Sequence, residues 1–143
     1  MKFVPVALFC GFLASVSLAE EVVVPEEVDD CIKKSAVVKL AIAEFFGMGD
    51  GKKNRFPKGE EFEQLSALNA AGERCAFVYV DEGVFDIDMD EQLLGFGASI
   101  QPRITATPRE PYQENLMIDF NCSRGETAEA DLQYLPEPCR GEN

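Results

Sequence analysis

From Val28 to Phe46 the chain alternates apolar and polar positions with a period near 3.6. Cys31, Ser35, Val38, Ile42 and Phe45 fall on one stripe, with Ala41 and Phe46 beside it. Lys33, Lys34, Lys39 and Glu44 fall mainly away from it. This spacing predicts an amphipathic helix over 28–46. Pro25 suits a position at or just before its first turn, and Glu26, Glu27, Asp29 and Asp30 suit the positive end of its dipole. Gly47 and Gly49 stop it. Residues 47–59 follow as a loop rich in glycine and charge, with Phe56 as its expected hydrophobic anchor. Phe62, Leu65 and Leu68, spaced by three, predict a short second helix over 60–71 that ends at Gly72.

At Cys75 the period drops to two. CAFVYV (75–80) is rich in β-formers, Asp81-Glu82-Gly83 is a turn signal, and VFDIDMD (84–90) alternates strictly. The two runs predict a hairpin with Phe85, Ile87 and Met89 on one face and Asp86, Asp88 and Asp90 on the other. LLGFGASI (93–100) is apolar but broken by glycine and gives only a weak signal. RITAT (103–107), between two prolines, predicts a short strand, and NLMIDFNC (115–122) predicts the last one. Its Leu116, Ile118 and Phe120 alternate with Met117, Asp119 and Asn121. The tail, 123–143, is polar apart from Tyr134 and Leu135. The expected fold class is α+β: one long N-terminal helix packed on a roughly four-stranded antiparallel sheet.

Composition changes the picture at the N-terminus. Residues 1–19 carry Lys2, an apolar run from Phe3 to Leu13, and small residues at Ser17 and Ala19. That is the pattern of a cleavable signal peptide, with cleavage expected after Ala19. The remaining 20–143 is long enough for one domain with one core. Of 13 basic residues only Lys2 lies in the leader, and all 26 acidic residues lie beyond it, so the exported chain carries a net charge of −14. Such a surface repels nucleic acid and anionic membranes. Cys10 leaves with the leader. Cys31, Cys75, Cys122 and Cys139 remain, an even number in an exported chain, and imply a disulfide framework. Four cysteines allow three pairings; the preferred one is Cys31–Cys75 with Cys122–Cys139. In the chain-entropy account those bridges contribute about 4 and about 3 kcal/mol.

The absence of histidine removes His-based triads and shuttles. Acidic pairs are plentiful, but no spacing singles one out as acid and base. No catalytic residue, cofactor or metal is therefore expected. Asp86-x-Asp88-x-Asp90-Glu91 invites a calcium reading, but an EF-hand loop starting at Asp86 needs glycine where Glu91 stands and an acidic ligand where Gly97 stands. Lys52, Lys53, Arg55 and Lys58 form the one basic cluster, without the spacing of a phosphate loop. It reads either as a solvated loop or as a docking site for an acidic partner surface.

Taken in order, five segments resemble the globular head of type IV pilins. They are AIAEFFGMGDGKKNRFP (41–57), CAFVYVDEGVFDIDM (75–89), ITATP (104–108), MIDFNC (117–122) and YLPEPCR (134–140). The resemblance spans roughly 31–140. It implies that Cys122 and Cys139 pair and clamp the loop Ser123–Pro138 against the sheet. It also implies that this loop, with Arg124 and Tyr134, is a contact surface. The chain departs from that family in lacking the apolar polymerising stem. Gly11-Phe12 offers the right pair for a prepilin cut, but the segment before it is apolar and only a short run follows it before Glu20 and Glu21. A Cys31–Cys75 bridge, a second departure, is expected to supply tethering that the stem gives elsewhere. The resulting expectation is a non-enzymatic, exported, bacterial pilin-like protein acting by surface contact in the periplasm or at the cell surface. Its partners would be a protein or other pilin-like subunits, with no nucleic acid and no membrane insertion after signal cleavage. A stand-alone periplasmic binding or inhibitor module unrelated to pili is the alternative.

Overall fold

The computed structural model describes residues 24–47, 55–72, 74–89, 98–109 and 118–143. Helix α1 runs Glu26–Gly47, two residues earlier than the apolar period alone predicts. The Pro25 carbonyl accepts from the amides of Val28 and Asp29, both at 3.1 Å, so the proline sits just before the first turn. The buried stripe is Val28, Cys31, Ser35, Val38, Ile42 and Phe46. Phe46, and not Phe45, closes it. At about 100° per residue the steps from Val28 to Ile42 leave the stripe lagging by roughly 40°, and a step of four re-centres it. Ser35 is fully buried in this stripe, and its hydroxyl donates to the Ile32 carbonyl at 2.5 Å.

The second helix divides. Helix α2 covers Gly59–Glu63 and a 3₁₀ segment covers Ser66–Ala71, with Leu65 extended between them. Phe62 from α2, Leu65 from the extended joint and Leu68 from the 3₁₀ segment all reach the core. Gly72 ends the segment at φ +71°.

Strands β1 (Cys75–Asp81), β2 (Val84–Met89), β3 (Arg103–Pro108) and β4 (Ile118–Ser123) form one antiparallel sheet in the order β1-β2-β3-β4. The hairpin forms as expected, pairing Phe77 with Ile87 and Val78 with Asp86. Its turn closes over Phe56. A side chain at Gly83, φ +73°, would come within 2.6 Å of that ring. Phe56 is therefore the anchor expected of the loop, and its ring lies tilted against Phe46 with centroids 4.8 Å apart. Phe85, Ile87 and Met89 face α1 and are buried, with Phe77 edge-on to Phe85 at 6.0 Å. Ala98 and Ile100 are buried without being strand, and 93–97 lie outside the described residues, as do 115–117 at the expected start of β4.

The outer face departs from expectation. Asp88 is exposed, Asp90 lies outside the described residues, and Asp86 is buried. Register explains it. Asp86 stands opposite Arg103 of β3, whose Nε and Nη2 donate to its two oxygens at 2.7 and 3.1 Å. A carboxylate can leave water there because a bidentate partner replaces it.

Two disulfides fix the ends. Cys31–Cys75 ties α1 to β1, and Cys122–Cys139 ties β4 to the C-terminus.

Candidate contact surfaces

The loop closed by Cys122–Cys139 is bonded through residues 126–131 to the segment 99–101 that leads into β3. Glu126 N–H donates to the Gln101 carbonyl at 3.0 Å and Ala128 N–H to the Ser99 carbonyl at 3.1 Å. In return Gln101 N–H donates to Thr127 Oγ1 at 2.9 Å and Ser99 N–H to the Asp131 carboxylate at 2.8 Å. Gly125, at φ +56°, lets the backbones approach; a Cβ there would lie 2.2 Å from the Gln101 carbonyl oxygen. Leu135 is fully buried and anchors the far side. Arg140 Nε donates to the Leu135 carbonyl at 2.8 Å, and Asn143 Oδ1 accepts from Ser123 Oγ at 2.7 Å and Gly125 N–H at 3.0 Å. The bridge thus closes a loop that is already stitched down.

Of the two loop residues singled out in the sequence, Tyr134 is half-buried and packs against the core. Arg124 is half-buried, and its amide donates to the Gly141 carbonyl at 2.9 Å. The outward residues include Glu126, Glu129 and Glu137, which give the loop an acidic rim. Thr127 and Asp131 carry the loop's docking, and nothing in their local pattern signals it. Leu135 was visible as an apolar residue in a polar tail.

In the basic cluster, Lys52 and Lys53 lie outside the described residues. Arg55 forms a two-pronged pair with Glu61 at 2.7 and 2.8 Å and lies 5.4 Å over the Phe45 ring. The hydrogen bond to Glu61 raises its pKa above the ordinary value. Glu61 also accepts the Lys58 amide at 3.1 Å, capping α2. Lys58 pairs with Glu82 at 2.8 Å, and that hydrogen bond raises its pKa. Both charges are met within the molecule, so the two do not present a bare cationic patch.

Other surfaces were not singled out in the sequence. A cleft of about 400 Å³ at the start of α1 is lined by Glu26, Glu27, Asp29, Asp30, Lys33 and Arg74. Among the described residues no group of three or more His, Cys, Asp or Glu is arranged to hold a metal ion. Asp86, first in the run that invites calcium, has both oxygens engaged by Arg103. A groove of about 300 Å³ between α1 and the 3₁₀ segment is lined by Val37, Leu40, Ala41, Glu44, Ser66 and Ala67. Val37 and Leu40 are exposed there, as are Val78 and Val80 on β1. Among the described residues no helix is long and apolar enough to cross a membrane.

Compared with known proteins, the chain matches no family, no curated protein and no solved structure.

Proposed function

We propose that this chain is a non-enzymatic, exported, pilin-like head that acts by contact with another protein, in a pilus-associated, adhesive or recognition role. The observation that carries the reading is the C-terminal loop. It is closed by Cys122–Cys139 onto the last strand of a helix-on-meander domain and held by paired backbone bonds to residues 99–101. A loop fixed in this way offers a partner a preorganised surface and loses little freedom on binding. The resemblance of the five sequence segments supports the same reading, as does the pattern of residues 1–19.

The charges suggest the partner's chemistry. The loop's rim is acidic and the described basic residues near Phe56 are paired, so a basic protein surface suits it better than an acidic one. The test is fractionation of the native organism, with fibres sheared and sedimented. A pilus role requires the chain in the fibre fraction and altered fibres on its deletion. A fully soluble chain whose loss leaves fibres unchanged overturns that role and turns the reading to a stand-alone periplasmic binding or inhibitor module.

A further inference from the structure

The exposed side of α1 carries a short, symmetric seam. Lys33, Val37, Leu40 and Glu44 follow one another at steps of four, three and four, the a/d spacing of a coiled coil. This stripe points away from the sheet: Val37 is 47% exposed, Leu40 60%, and the Lys33 side chain 74%. Ala41 on α1 and Ser66 and Ala67 of the 3₁₀ segment flank it, and their small side chains leave the groove open.

The order along the stripe is cation, apolar, apolar, anion. Turned end for end, it becomes its own complement. A second copy running antiparallel would set Val37 against Leu40 of the other helix and Lys33 against Glu44, twice over by symmetry. Lys33 already pairs with Asp29 at 2.5 Å, but an ammonium has three donors and can hold both carboxylates. Glu44 has no ion-pair partner among the described residues. A parallel pair would instead stack Lys33 on Lys33 and the acidic first turns on each other. Antiparallel packing avoids both and aligns opposite helix dipoles.

We infer that this groove is a self-association surface, in which α1 of a second copy of this chain packs antiparallel along Lys33, Val37, Leu40 and Glu44 to give a closed two-fold dimer. The inference stands on the seam and not on the pilin-like reading, so either can fail without the other. Two apolar residues per helix make a small interface, and the exported chain is strongly acidic. The dimer is accordingly a weak one, formed at protein concentrations on the order of 100 µM.

Sedimentation of the oxidised chain over a concentration series tests it. The wild-type protein should pass from monomer to dimer. Leu40→Asp should weaken the dimer by roughly tenfold or more. Lys33→Glu and Glu44→Lys should each weaken it, and the double variant should restore it, because reversing both charges rebuilds the pairs. Circular dichroism and disulfide content check that Leu40→Asp folds, and the charge-reversal set decides the matter if it does not. Three results overturn the proposal: a wild-type protein that stays monomeric at millimolar concentration, which leaves the groove to another occupant; a dimer indifferent to these substitutions; or a double variant that is not restored.

Discussion

Asp86 shows how much a single register pair decides. Strict alternation in VFDIDMD puts it on the outer face, and it is there, but buried against Arg103. Removing the carboxylate leaves a guanidinium largely out of water with, among the described residues, only the Glu126 carboxylate, at 3.5 Å, to answer it. Asp86→Ala is expected to cost about 3 kcal/mol in urea unfolding. A cost near that of an exposed pair, under about 1 kcal/mol, would contradict the geometry. Lys39 makes the opposite case. Burial lowers its pKa, so its charge destabilises the fold at neutral pH. The unfolded chain binds that proton more tightly, so stability from this group rises with pH from its lowered folded pKa up to the ordinary 10.5. Lys39→Met should be the more stable protein at pH 7 in thermal unfolding, and its advantage should shrink as pH climbs through that window. An advantage that does not change with pH would point to packing rather than charge. Neither residue's environment was legible in sequence. Period assigns a face, but the partner across a strand and the depth of a helix flank depend on how elements meet.

Among the elements, those with long regular periods were legible. Helix α1 and the β1–β2 hairpin formed where their apolar spacings put them, with shifts of a residue or two at the ends. The single helix expected over 60–71 is instead α2 and a 3₁₀ segment separated by an extended Leu65, a break that the spacing of three did not announce. The C-terminal loop was the least legible element. Its structure rests on Thr127, Asp131 and Gly125 meeting residues 99–101 from far along the chain, and such meetings leave no local periodicity. Two outcomes follow for this element. Gly125→Ala would need φ +56° from a residue with a Cβ and would drive it into the Gln101 carbonyl, so a loss of more than about 2 kcal/mol is expected. Replacing Cys122 and Cys139 together by serine should cost about 3 kcal/mol. The stitched bonds should keep part of the loop in place, so hydrogen exchange at Glu126 and Ala128 should quicken while the hairpin amides stay protected. Equal quickening everywhere would mean that the loop opens only with the whole domain.

At the scale of the molecule, the two disulfides sit at opposite ends of the same logic. Cys31–Cys75 joins the helix to the first strand, and Cys122–Cys139 joins the last strand to the tail, so the described domain is closed at both of its ends. A domain closed in this way holds both of its ends without help from a further segment. The proposed function requires an exported head that has discarded its apolar N-terminal segment. The most direct measurement is the N-terminal sequence of the mature protein recovered from its native host. The account predicts Glu20 as the first residue. A start at Phe12 would restore a prepilin with its stem, and an intact Met1 would make the segment an anchor; either contradicts it.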